Sequence, residues 1–480
     1  MSLQDQQKTS TSLSLNPFAG QFHPIALIQI LLIPLLFVDL LIRSTNSPEQ
    51  YGSFHLALLY LYFAPLLLLM RSYYDDNRDL WLHVAQISVL ILLTFILFRQ
   101  RNKYIPVPDE GRFVHVTLIF LLYALYPFIS HDFLQFLRSR AVYIGSYVTL
   151  LGVYFYHVNE MSAGSTRASF VVYVALIFGL NLFFIPRYVS RNIFLLGVSI
   201  MSAFTVLIGL PAYVIGNYEL SWLQIQLFNA RFQLPLIGTE VQFLQSILSN
   251  PNILGALAFS GAFGALVIAV ESAQRRQFLP IPIAATLLLV NGLGMYLTYA
   301  RASWLAFCLA STVYLGYIVI GRKSVPYIVI SLGILTLLFF MGMFLSVIPI
   351  NTHGRFALWT GGLRAFLDAP SPLGYGMINT HEAIAPYVPD PNFRGFSPHN
   401  SYVQIFLNTG IVGGLAYIMI VLGSIFEGIV RKNTVDVPML GFALAFAVHQ
   451  MFAVYTLFNT AVASILSALV FGYLICGYRK

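Results

Sequence analysis

The sequence predicts an all-α polytopic membrane protein of about 12–14 transmembrane helices, with a large folded extracytoplasmic loop before the last three. Three observations carry that prediction. Of 480 residues, 58% are hydrophobic and 9% charged, where a soluble domain carries about 25% charged residues. Mean hydropathy is +0.77. Apolar runs long enough to cross a bilayer follow one another along the chain. So few ionisable groups exclude a conventional soluble enzyme and any disordered or fibrous class.

The runs fall at 25–43, 54–70, 81–98, 114–130, 141–157, 168–186, 192–215, 252–270, 280–297, 303–320, 325–348, 402–426, 437–453 and 459–477. In hydrocarbon the backbone must satisfy its own polar groups, so each reads as a helix. The alternation of an outer-membrane barrel is absent. The first run follows a polar Ser/Gln/Thr leader that lacks the pattern of a cleavable signal. Cys308 and Cys476 sit inside apolar runs as small packers, without metal or disulfide spacing.

Positive charge orients the spans. Of 26 Lys and Arg, fifteen fall on the face assigned to the cytoplasm, among them Arg191, Arg275, Arg322 and Arg431. Four of the other eleven crowd into one segment as Arg99, Arg101, Lys103 and Arg112, which looks cytoplasmic and conflicts with the alternation. From Arg187 onward the charges alternate without conflict. The net charge of +8 is spread in ones and twos between spans, which argues for no nucleic-acid partner.

Two segments between spans are long, 216–251 and 349–401, and both fall on the extracytoplasmic side. A segment of that length is usually functional or disordered. The second contains Trp, Phe, Tyr, three His and a helix-like piece, and so reads as folded. Asn351 or Thr352 can cap a helix starting near Arg355, with Phe356, Trp359, Leu363 and Phe366 or Leu367 as its apolar face. Arg355 in the first turn favours an anion; Arg364 further along is as well read as an interfacial snorkel. Pro372 to Gly376 forms a tight turn in which Gly374 and Gly376 allow close backbone approach. His399 and Asn400 stand at the mouth of the next span, and imidazole is suited to accept a proton near neutral pH. His353 and His381 are rivals with less context. Arg301, in TYARASW, lies at the extracytoplasmic edge, where an arginine needs an anionic partner or water. Arg231 lies in the first long segment, followed by Asn250-Pro251, a helix-start signal, and by Asn252, whose simplest role is a cap.

Three arginines and a histidine thus share one side. Carboxylates are scarce there: the large segment has Asp368, Glu382 and Asp390, with no paired Asp-x-Asp to hold a divalent ion. Arginine clamps can neutralise a diphosphate alone. The expected reaction is therefore metal-independent and needs no cofactor, with a lipid diphosphate as ligand.

These pieces resemble the O-antigen ligase and O-antigen polymerase superfamily. The resemblance rests on Asn-Pro-Asn at 250–252, TYARASW with Arg301, Arg355 with Trp359, the Pro-x-Gly-x-Gly turn, and His399-Asn400 followed by Gly410 and Gly413-Gly414. It covers roughly residues 230–430. It implies a GT-C-like membrane glycosyltransferase of the cytoplasmic (inner) membrane, with its active site on the periplasmic side. The donor would be a glycan on undecaprenyl or another polyprenyl diphosphate, and the acceptor a glycan or a lipid core. By the same resemblance, Arg301, Arg355 and less securely Arg231 would hold the diphosphate. His399 would activate the acceptor hydroxyl, with Asn400, Trp359, Gly374, Gly376 and Asn252 in support. The chain divides into N-terminal transmembrane helices, 1–215, and a ligase-like catalytic region, 216–480. A polymerase of the same superfamily differs only in acceptor. A peptidoglycan-type polymerase would need a loop carboxylate as base. A lipid-linked glycan flippase would place charges inside spans.

Overall fold

The computed structural model describes residues 131–157, 175, 178–220, 223–233, 238–345, 354–376, 380–430, 436–455 and 461–476. The runs expected at 25–43, 54–70, 81–98 and 114–130, and the charged segment 99–112, lie outside the described residues.

The helices are α1 (His131–Ser139), α2 (Ala141–Tyr156), α3 (Ile185–Tyr188), α4 (Arg191–Gly209), α5 (Ala212–Ile215), α6 (Pro251–Gln274), α7 (Pro280–Thr298), α8 (Arg301–Ile320), α9 (Val325–Phe344), α10 (Arg355–Asp368), α11 (Thr380–Ile384), α12 (Ser401–Val430), α13 (Val437–His449) and α14 (Val462–Cys476). Among the described residues, six are long and apolar enough to cross a membrane, and α2, α13 and α14 are shorter apolar helices. Local signals set their starts. The Ser190 side chain accepts from the Ile193 N–H to open α4. Asn250 accepts from Asn252 N–H at 2.8 Å, with Pro251 in the first turn of α6. Asp436 accepts from Met439 N–H to open α13. Each cap satisfies an otherwise orphaned donor, and proline suits a first turn that has no acceptor to offer it.

The core gathers around α13 and α14, which are buried along their whole lengths but for Cys476 at the C-terminal end of α14. Around them α4, α6 and α7 approach closely through small residues and amide bonds. The Asn291 amide of α7 donates to Ser199 O of α4 at 3.1 Å, and Ser199 Oγ donates to Gly261 O of α6 at 2.8 Å. Such interhelical bonds are a usual membrane-bundle device. By contrast, α9 presents Ile334, Leu335, Leu337 and Leu338 outward, as a lipid-facing helix does.

The all-α reading holds for the spans and is amended at 216–251. That segment folds as an antiparallel sheet, β1 (Tyr218–Leu220), β2 (Leu223–Gln233) and β3 (Glu240–Ser246), in the order β1-β2-β3. It is docked on the end of α4 through Ser246 Oγ, which donates to Thr205 O at 2.7 Å.

The second long segment is folded, as expected, with a small core of Leu358, Ala365, Ile384 and Val388 packed against Leu407 of α12. Its helix starts at Arg355, but two details are corrected. Gly354, in the left-handed region at φ 78°, occupies the cap position with no side-chain bond. The buried face is Leu358, Gly361, Gly362 and Ala365, while Leu363 and Leu367 are exposed. The reason is closeness: a Cβ on Gly362 would lie 2.5 Å from Val403 Cγ1. Small residues, not large ones, let α10 lie against α12.

Candidate functional site

The site is built around a break in α12. Gly410 has φ 63° and ψ −161°, conformations an L-residue rarely adopts. The break frees helical backbone groups, and the Pro372–Gly376 turn takes them up. Tyr375 N–H donates to Leu407 O at 2.8 Å, Gly376 N–H to Asn408 O at 3.0 Å, and Val412 N–H to Pro372 O at 3.1 Å. Gly374 and Gly376 have φ of 77° and 79°. A Cβ on Gly374 would sit 2.4 Å from Gly410 N. The close approach is to α12 for Gly374 and to the His157 ring, 3.1 Å from a Cβ on Gly376, for the second glycine; what the turn contributes is to hold α12 at its break.

At the start of that helix Asn400 is a cap. Its Oδ1 accepts from Tyr402 N–H at 2.9 Å and Val403 N–H at 3.2 Å. His399, just before, has φ 47°. A non-glycine residue held there is strained, and such strain concentrates at functional sites. Its imidazole is half-buried with no hydrogen bond to the other described residues. Burial, and then the nearby Arg355 charge, hold its pKa below the usual 6.5. The ring is thus kept neutral and able to accept a proton.

Arg301 opens α8. Its guanidinium lies 5.0 Å from the centre of the Tyr299 ring and donates to the Tyr299 hydroxyl at 3.3 Å, a cation–π geometry. Tyr299 is itself left-handed at φ 49°. Its ring stacks on Phe232 of β2 at 4.7 Å, and Phe232 stacks on Phe243 of β3 at 4.6 Å. The sheet therefore serves as the shelf that carries Arg301.

Arg355 is half-buried at the first turn of α10. Burial and then the positive field of Arg301 press its guanidinium toward losing its proton, which arginine does not do. Neither arginine has an acidic partner among the described residues. Two cations in one another's field, beside a neutral imidazole, form a site short of negative charge.

Trp359, one turn after Arg355, packs edge-on to Phe452 at 6.0 Å and against Phe340 at 5.9 Å. Its Nε1 is buried without a partner among the described residues. Asn252 receives the Asn250 cap through its backbone, so the capping role belongs to Asn250. Arg231 stands apart. It is exposed and adjoins Phe232, which is buried against Tyr299. Successive strand residues point to opposite faces, so Arg231 projects away from the Arg301 shelf. His381 lies in α11, and His353 is outside the described residues. Asp390 is occupied capping Asn392 N–H at 2.9 Å. Asp368 ends α10, about 20 Å along the helix from Arg355 at about 1.5 Å per residue. No group of three or more His, Cys, Asp or Glu stands together among the described residues.

Sequence reasoning missed Tyr299, the aromatic stack, and a buried histidine, His449, whose charge environment includes Arg355. The signal for His449 was available: a His-Gln pair closing an apolar run, where an ionisable residue is costly.

Residues 283–418 match the family model described as O-antigen ligase. The matched stretch includes Arg301, Arg355, Trp359, Gly374, Gly376, His399 and Asn400, and leaves out Arg231, Asn252 and His449. It supports the O-antigen ligase and polymerase superfamily for this chain. A comparison with curated proteins returned no match.

Proposed function

We propose that the protein moves a glycan from a polyprenyl diphosphate, undecaprenyl or similar, to a sugar hydroxyl of an acceptor at the extracytoplasmic face of the cytoplasmic membrane. The observation that carries this reading is the pairing of Arg355 with Arg301 beside His399: two cations with no acid partner among the described residues, and a base kept neutral. Such an arrangement is costly when empty and is relieved by a dianionic ligand. The O-antigen ligase match over the same residues supports it.

In this reading the acceptor hydroxyl attacks the anomeric carbon of the donor sugar. The new glycosidic C–O bond forms as the bond from that carbon to the diphosphate oxygen breaks. His399 takes the hydroxyl proton, and the two arginines receive the charge growing on the diphosphate. A single displacement inverts the anomeric configuration. Arginine supplies the countercharge in place of a divalent ion, so transfer proceeds with chelator present. The same chemistry serves a ligase with a lipid-core acceptor and a polymerase with a growing chain. Charges in the described spans sit at their ends, as Arg191, Glu271, Arg301 and Glu427 do, which gives a transporter reading no path to favour it.

The test is transfer by the purified chain. It would be given polyprenyl-diphosphate glycan and chelator, with either a lipid core or excess donor. Product of inverted configuration is expected, and its length separates ligase from polymerase. No product with either acceptor overturns the reading.

A further inference from the structure

We propose that His449 is a positioning residue: with Ser303 and Tyr455 it forms a buried hydrogen-bonded bridge that sets the Arg301 cation relative to the His399 base. This rests on the diphosphate reading of the site.

The bridge can be followed atom by atom. His449 Nε2 lies 3.0 Å from Ser303 Oγ, and its Nδ1 bonds the Tyr455 hydroxyl. Tyr455 N–H donates to Ser401 Oγ at 3.0 Å, and Ser401 Oγ donates onward to Ala453 O at 2.7 Å. Ser401 N–H donates to Gln450 O at 2.8 Å. Ser303 is two residues after Arg301 in the first turn of α8. Ser401 is two residues after His399 at the first turn of α12. The bridge therefore joins the two helix starts that carry the cation and the base, and it does so through the loop after α13.

Its members are closed to solvent: Ser303 and Ser401 at 0%, His449 at 1% and Tyr455 at 3% exposure. Phe259 of α6 stacks on the imidazole at 5.4 Å. A turn earlier on the same helix, a Cβ on Gly255 would lie 2.9 Å from Ser303 Oγ. The neutral imidazole needs one acceptor and one donor, and each flanking hydroxyl can be either. Both tautomers are satisfied, so the ring spans the gap without an unpaired polar atom. Ordinary core packing would ask only for an apolar ring here. The buried polar chain ending two residues from Arg301 and from His399 is what points to positioning.

The test uses the full-length purified chain with Ser303→Ala, His449→Phe and Tyr455→Phe, each alone and combined with Arg301→Ala. Farnesyl diphosphate affinity is read by calorimetry, and donor and acceptor KM by transfer. The bridge predicts affinity about three- to ten-fold weaker and donor KM raised in step, with acceptor KM unchanged. In the Arg301→Ala background the same substitutions should add less than about two-fold, because they act through Arg301. Undiminished affinity in folded Ser303→Ala and His449→Phe overturns the proposal. So does an equal loss with and without Arg301. Should His449→Phe not fold, Ser303→Ala, which removes one oxygen, decides by the same criteria. Wild-type protein that binds farnesyl diphosphate but transfers no glycan defeats the transfer reading alone, and affinity still judges the bridge. Wild-type protein that does not bind it defeats both.

Discussion

The two ends of the described bundle treat positive charge in opposite ways. At one end Arg191 is held between Glu271 at 2.6 Å and Asp436 at 2.9 Å, and Arg140 pairs with Glu427. These bonds tie α4 to α6 and α13, and the approach to α2 to α12. At the other end Arg301 and Arg355 meet each other's field, with no acid among the described residues. Paired charge fixes helices to one another. Unpaired charge, set on an aromatic shelf and beside a strained histidine, is left for a ligand. The same residue type is thus structural at one end and functional at the other, and the difference is whether the protein supplies the counterion.

The largest test of that contrast is His399→Ala. It should lower transfer by about 10²- to 10⁴-fold, the usual weight of a general base, while thermal unfolding of the purified protein is unchanged. Transfer at wild-type rate in that variant would remove His399 from the mechanism. Next comes a matched pair of neutralisations. Arg191→Met strands the part-buried Asp436 and leaves Glu271 only the longer, exposed Arg275 contact at 3.5 Å; it should cost about 2 kcal/mol of stability, the full penalty of a buried pair being reduced by partial exposure. Arg355→Met strands no carboxylate among the described residues and should leave stability unchanged or raised, while transfer is lost. Calorimetric scans of both variants check this, and equal destabilisation would erase the contrast.

Much of this was legible in the sequence, and the limits have physical causes. Spans are written in hydropathy, so helices from Arg191 onward fall within a few residues of their expected ends. Arg301, Arg355 and His399 were conspicuous because charge is scarce, and the fold brings those three together. The sheet was passed over although Leu223, Ile225 and Leu227 alternate with glutamines in L-Q-I-Q-L, the period of a half-buried strand. Its role as the shelf under Arg301 depends on Tyr299 meeting Phe232 across the chain, which no local pattern announces. The face of α10 was misjudged because apolar periodicity favours large residues, whereas contact with α12 selected Gly361 and Gly362. His449 became visible only when two distant hydroxyls were seen to bracket it.

Smaller effects sharpen the picture. Lysine at 301 or 355 keeps the charge and loses the planar two-pronged donor, so transfer should fall about ten-fold rather than vanish. A loss equal to that of methionine would mean that charge is not what matters. The pH dependence follows from His399, whose folded pKa lies below 6.5 while the unfolded value is about 6.5. The folded state binds fewer protons, so this group's contribution to stability is complete above 6.5 and is lost as pH falls through the folded value. As a base His399 must also be neutral. The acid limb of kcat/KM should therefore have its midpoint below 6.5, and a midpoint above that would contradict the assignment.

The contrast between the ends is tested most directly by thermal unfolding with and without farnesyl diphosphate, in wild type, Arg355→Met and Arg191→Met. A ligand that binds only the folded state raises its unfolding temperature in proportion to occupancy. Wild type and Arg191→Met should show the same upward shift, from different starting temperatures, and Arg355→Met should show almost none. An undiminished shift in Arg355→Met would mean that the unpaired cation is not where the diphosphate binds.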